Sequence, residues 1–135
     1  MGVINDQASN LIVTVHYYTP MDFTHQGASW AGRSEMSGVQ WRGTREEKAT
    51  ILADFQAVRQ WSRENDRPIF LGEFGAYDKA PMDSRVRYTS AVARAAESLG
   101  WSWAYWQFDS DFIVYDIDAD RWVQPIRDAL IPRGR

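Results

Sequence analysis

The sequence predicts an α/β fold made of three consecutive strand–helix units whose strands run parallel. Apolar, β-branched or aromatic runs occur at Leu11 to Val15, Ile69 to Gly72 and Trp101 to Phe108. Each is followed by a stretch whose apolar residues recur every three to four positions. That β-α-β-α-β-α order favours a parallel sheet with right-handed crossovers. At 135 residues, 44% hydrophobic and 24% charged, the chain reads as one globular domain over residues 1–135.

Leu11-Ile12-Val13-Thr14-Val15 is nearly continuous in apolar character, which reads as a strand buried on both faces. Thr19 to Gly43 follows with four glycines (Gly27, Gly32, Gly38, Gly43) and little periodicity; loops of that length are often functional. Thr44 and Glu47 have capping-box spacing and open a helix. Ile51, Leu52, Phe55, Val58 and Trp61 give that helix one apolar stripe. Asn65-Asp66-Arg67-Pro68 ends it, since proline cannot continue a helix and restrains the residue before. The second strand ends at Glu73. The next helix opens near Asp83 or Ser84, carries Val86, Thr89, Val92, Ala93, Ala96 and Leu99 on one side, and is C-capped by Gly100. The third strand, Trp101 to Phe108, leads into an acidic loop holding Asp109, Asp111, Asp116, Asp118 and Asp120. Pro125 falls in the first turn of the last helix, where its missing N–H costs nothing.

Charge and composition exclude several functions. Fifteen Lys and Arg against 18 Asp and Glu leave a net charge of -3, without the basic surface that nucleic acid or an anionic membrane requires. No run approaches ~20 consecutive apolar residues, so no bilayer span is expected. With no cysteine and two histidines, thiolate chemistry and a histidine-rich metal site are excluded. No metal or cofactor is expected. The acidic loop has the composition of a calcium site but lacks its spacing and closing glutamate, so it reads as a solvated turn. Met1-Gly2-Val3-Ile4-Asn5-Asp6 lacks the basic-then-apolar order of a signal peptide. Aromatic residues make up 14% of the chain, including 7 Trp, more than a small core usually needs.

Parallel α/β folds place their chemistry at the carboxyl ends of strands. His16 to Tyr18, Glu73, and Trp106 to Asp109 occupy those positions. A carboxylate at Glu73 follows four uncharged residues and is costly there unless paired, so it caps a helix, salt-bridges a neighbour or does chemistry. His16 and Tyr18, taken singly, read first as satisfied core residues. Trp106 is nearer its strand end than Trp101 or Trp103 and is the better ligand candidate. Trp30 and Trp41, in the long loop, face either solvent or ligand or are packed away.

Taken together, Val15-His16-Tyr17-Tyr18, Asp22-Phe23-Thr24-His25-Gln26-Gly27-Ala28, Phe70-Leu71-Gly72-Glu73-Phe74-Gly75 and Trp103-Ala104-Tyr105-Trp106 resemble bacterial endoglucanases of glycoside hydrolase family 5. The resemblance runs from about Asn10 to Pro132. It implies a partial TIM (β/α)8 barrel, its strands corresponding to the sixth, seventh and eighth. It also implies retaining hydrolysis of β-1,4-glucans such as cellulose, by a secreted or periplasmic parent enzyme. Glu73 matches the catalytic nucleophile, and His16 and Tyr18 match the histidine and tyrosine beside it. Trp106 matches the tryptophan that stacks on the sugar next to the cleaved bond. Trp30 is a further candidate for substrate contact.

The chemistry of retaining glycosidases fits that assignment. They use two carboxyl groups ~5 Å apart, one as nucleophile and one as acid/base. A phenol and an imidazole beside Glu73 would orient the first, and an aromatic face suits the C–H groups of a pyranose. The second carboxyl is not matched: the family places it in a glutamate after an asparagine, and none of Glu35, Glu46, Glu47, Glu64, Glu73 or Glu97 follows one. The sequence therefore reads as the C-terminal portion of the catalytic domain. A non-catalytic carbohydrate-binding scaffold, or a self-assembling barrel fragment, is the alternative. Three strands leave two open edges, so association into a homo-oligomer, or with the missing N-terminal barrel segment, is expected.

Overall fold

The computed structural model describes residues 10–133; the segment Met1 to Asp6 lies outside them. The chain forms β1 (Val13–Tyr17), a short α1 (Met21–Thr24), a 3-10 turn (Ser29–Ala31), α2 (Arg45–Asn65), β2 (Ile69–Phe74), α3 (Met82–Ser98), β3 (Ser102–Trp103), the short strands β4 (Tyr115–Asp116) and β5 (Arg121–Trp122), and α4 (Gln124–Leu130). Strands β1, β2 and β3 make one parallel sheet in that spatial order, with β2 central. The expected three strand–helix units are present.

The helix signals acted as their chemistry requires. Thr44 caps α2, its side chain accepting from Glu47 N–H while Glu47 returns a bond to Thr44 N–H. Asp66 ends the helix in a left-handed conformation, two residues before Pro68. Helix α3 opens at Met82, one turn position earlier than the spacing suggests, because Pro81 supplies its N-cap. Leu99 is its C-cap, and Gly100 follows in the left-handed conformation expected just beyond a helix end. Pro125 sits in the first turn of α4.

The first strand differs from expectation in place and in burial. It begins at Val13 rather than Leu11, and its residues alternate between half-buried and exposed up to Tyr17. The register sets Val13 and Val15 beside Ile69 and Leu71, with Trp103 beside Leu71. Ile69 and Leu71 are buried, and Val15 and Trp103 pack on the core that the sheet shares with its helices. Thr14, Phe70 and Ser102 occupy the other face. The apolar residues thus cover the helix side, and the open face is more polar than a continuous apolar run implies.

The third strand is shorter than expected, because only Ser102 and Trp103 meet the ladder geometry. The chain nevertheless stays against β2, Ala104 N–H donating to Leu71 O and Trp106 N–H to Phe74 O, both at 2.9 Å. The acidic loop is not a plain turn: Tyr115 and Asp116 pair antiparallel with Trp122 and Arg121. Phe74, fully buried, packs edge-on against Trp103 and Tyr105, and Trp41 is buried against Tyr88. Trp41 is therefore core, not a ligand-facing residue.

Candidate active site

Glu73 faces the open side of the sheet because of an irregularity in the β1–β2 ladder. Val15 pairs with Leu71, but the next pair is His16 with Glu73, so Gly72 is an extra residue on β2. In an unbroken strand Glu73 would share the orientation of Ile69 and Leu71 and point into the core. The bulge re-aims it, as bulges near reacting groups commonly do. Gly72 suits the position because a Cβ there would fall 2.2 Å from Thr14 Oγ1.

Two side chains from the end of β1 meet the carboxylate. Tyr18 Oη donates to Glu73 Oε2 at 3.0 Å, and His16 Nδ1 lies 3.3 Å from the same oxygen. Among the described residues, no side chain bonds to Oε1. Burial first, and then the adjacent Glu73, push the Tyr18 phenol far above its ordinary value, so it remains a protonated donor. His16 has 48% of its side chain exposed, which removes the reading of it as a buried, satisfied core histidine.

A cleft of about 350 Å³ opens at this carboxylate. Glu73, Tyr18, Trp30 and Trp106 line it, together with His25, Gln107, Ser110, Asp111 and Phe112. His16 reaches Glu73 without lining the cleft. Trp106 and Trp30 are 41% and 57% exposed, so both present ring surface to whatever enters. Trp30 is braced edge-on by Tyr77, ring centres 5.0 Å apart. Glu35 is exposed and is not among the residues around the cleft. No group of three or more metal-ligating side chains occurs among the described residues.

Sequence reasoning missed His25, Ser110, Asp111 and Phe112 as lining residues, and placed Gln107 only within the strand-end segment Trp106 to Asp109. The signal for His25 was its place in a glycine-bearing loop directly after a strand. Its ring packs edge-on against Tyr18, centres 5.0 Å apart, and against Phe112. Thr24 Oγ1 gives its proton to Tyr18 O at 2.7 Å and lies 2.9 Å from His25 Nδ1. The hydroxyl has one proton, so Nδ1 must be the donor to it, leaving Nε2 as an acceptor in the neutral ring. Burial, and secondarily Arg33, lower the His25 pKa and favour that neutral form.

The loops around the cleft are tied to one another. Arg85, buried at 2% exposure, donates to Ala76 O and Ile113 O, joining the segments after β2 and β3. Tyr105 Oη donates to Phe112 O, Asp78 N–H to Asp111 O and Tyr77 N–H to Thr24 O, each at 2.8 Å. Gly75 permits the close passage of the Trp106 segment: a Cβ there would meet Trp106 O at 2.2 Å. Such bonding fixes groups before any ligand arrives, which is how binding geometry is preorganised.

Residues 3–112 match the cellulase (glycosyl hydrolase family 5) model. The chain is 32% identical over 130 residues to Endoglucanase H of Acetivibrio thermocellus, covering 92% of this chain and 13% of that protein. It superposes on Cel5A of Thermotoga maritima, solved in complex with cellobiose, with a TM-score of 0.85 at 45% identity, covering 89% of this chain and 39% of the other. The cellulose synthase subunit Z of Clostridioides difficile gives a TM-score of 0.91 at 38% identity, over 97% and 43% of the two chains. The chain thus spans well under half the length of these relatives. Its parallel sheet and flanking helices are a partial TIM (β/α)8 barrel, and the chain belongs to the cellulase family of glycosyl hydrolases, family 5.

Proposed function

We propose that this chain is the nucleophile-bearing portion of a retaining endo-β-1,4-glucanase. The observation that carries the reading is the convergence of Tyr18 and His16 on one oxygen of Glu73, which leaves Oε1 without a side-chain hydrogen bond among the described residues. Oε1 attacks the anomeric carbon as the bond to the leaving-group oxygen breaks. That oxygen takes a proton from a second carboxyl group, which is not matched in residues 1–135. Water then releases the sugar from Glu73, giving its proton back to the same second carboxyl. Tyr18 and His16 hold the carboxylate in line, Trp106 stacks on the sugar being transferred, and Trp30 contacts the chain further along. A glucan polymer is too large to enter a cell, so the parent enzyme is secreted or periplasmic.

A dinitrophenyl β-cellobioside tests this, because its leaving group departs without an acid. The chain is expected to gain one cellobiosyl unit on Glu73, detected by mass, and Glu73→Gln to gain none. An adduct on another residue, or one unaffected by Glu73→Gln, overturns the assignment. On soluble cellulose, which needs the acid, the chain alone is expected to be slower by ~10²–10⁴ than an enzyme with both groups. Glucan binding with neither adduct nor hydrolysis would instead mark a carbohydrate-binding scaffold.

A further inference from the structure

Outside the cleft, the described surface carries one cluster of exposed aromatic rings, around the β4–β5 hairpin. Phe108 stacks on Tyr115 with ring centres 5.1 Å apart and planes 12° from parallel. Trp122 stands nearly perpendicular to both, 6.0 Å from Phe108 and 5.0 Å from Tyr115. Arg127 lies 5.6 Å from the Trp122 ring centre. Phe108 uses one face against Tyr115 and is still 54% exposed, while Trp122 is 45% exposed. The position of Phe108 is fixed by its carbonyl, which accepts from Val114 N–H and Tyr115 N–H at 3.1 and 2.8 Å. A flat ring held against a perpendicular wall is thus built into the surface.

The cluster adjoins the cleft along the chain. Trp106, Gln107, Ser110, Asp111 and Phe112 line the cleft, and Phe108 belongs to the same segment without lining it. Its Cα is within ~7 Å of that of Trp106 by chain reach alone. Exposed carboxylates occur on the same segments, at Asp109, Asp118 and Asp120, the last accepting from Tyr115 Oη. A protein partner with an apolar face would bury those charges without compensation. A neutral, polyhydroxylated chain would not: its C–H faces lie on aromatic rings and its hydroxyls donate to carboxylates.

We propose that Phe108 and Trp122 form a second binding platform for a β-1,4-glucan chain, extending the one held at Trp106. The glucan class rests on the function proposed above. The platform takes sugar units beyond those in the cleft, so it matters for long oligosaccharides and not for short ones.

Titration of the chain with cellobiose and with cellohexaose, followed by calorimetry, tests this. Phe108→Ala and Trp122→Ala are expected to weaken cellohexaose binding roughly fivefold each and to leave cellobiose binding unchanged. Phe108→Leu, which keeps apolar bulk without a flat face, is expected to behave like Phe108→Ala, which separates stacking from folding. Unchanged cellohexaose affinity in both Phe108 variants overturns the platform, as does a parent chain that does not bind cellohexaose. Loss of self-association in place of weaker sugar binding also overturns it, assigning the patch to a second copy. If cellohexaose binding depends on Phe108 but cellobiose does not bind at all, the platform stands and the reading of the cleft fails.

Discussion

Tyr18 Oη and Glu73 Oε2 are 3.0 Å apart, a bond that joins the segment after β1 to the bulged end of β2. Hydrogen bonds to a charged partner are worth about 1.5–3 kcal/mol. Tyr18→Phe is therefore expected to slow glycosylation of Glu73 by roughly 10–100-fold. Dinitrophenolate release in a single turnover measures it; an unchanged rate would mean that the phenol does not position the nucleophile.

Gly75→Ala is expected to damage fold and site together. The new methyl would meet a backbone carbonyl, that of Trp106, at 2.2 Å, and a carbonyl cannot rotate away as a side chain can. Overpacking of this kind costs about 1–3 kcal/mol. Urea denaturation is expected to show that loss, with weaker cellobiose binding because Trp106 moves. Full stability with full binding would contradict it.

His25 makes stability depend on mild acid. Its folded pKa is lowered, by burial and then by Arg33, so the unfolded chain binds its proton first. The contribution is present above ~6.5 and is lost as pH falls toward the lowered folded value. Between those limits the Tm of the wild type is expected to fall more steeply with acid than that of His25→Gln. Parallel Tm–pH curves would show that His25 does not contribute.

Four tyrosines act in the opposite direction. Burial raises Tyr17, Tyr18, Tyr88 and Tyr105, with Asp54 adding at Tyr17 and Glu73 at Tyr18. The stability linked to them is complete below ~10 and is lost as pH rises past it, because only the unfolded chain ionises there. Phenolate absorbance from these rings is expected to appear together with loss of helical circular dichroism. Its appearance in the intact fold would contradict their burial.

Association is expected on different grounds from those an apolar strand implies. The open face offers Thr14, His16, Phe70 and Ser102, a weak hydrophobic surface, but among the described residues β1 and β3 each leave one edge unpaired. Unpaired edges recruit further strands. Light scattering on the eluting chain is expected to give a mass above 15.6 kDa at micromolar concentration. A cooperatively folded monomer would defeat that expectation.

What could be read from the sequence had a local cause. The cap at Thr44, the stop before Pro68 and the carboxylate at the end of the second strand depend on neighbours only a few residues away. The order of the motifs then brought His16, Tyr18, Glu73 and Trp106 to one end of the sheet, although their contacts span up to 55 residues of chain. Trp41 was not legible, since its burial against Tyr88 depends on how a loop folds back. The β4–β5 hairpin hid in an acidic stretch, because two-residue strands carry no detectable alternation. The apolar face of β1 was misjudged for a related reason: a continuous β-branched run does not say which side is covered.

The extra residue at Gly72 makes the strand and its glutamate depend on a phase. Reading β2 by strict alternation places position 73 among hydrophobic residues, where a sequence chosen only for stability would carry valine or isoleucine. Straightening the strand would make a more regular sheet and would turn Glu73 out of the cleft into a buried, unpaired charge. A redesign that idealises this barrel would thus take the carboxylate out of the cleft while improving its geometry, unless the irregularity were kept deliberately.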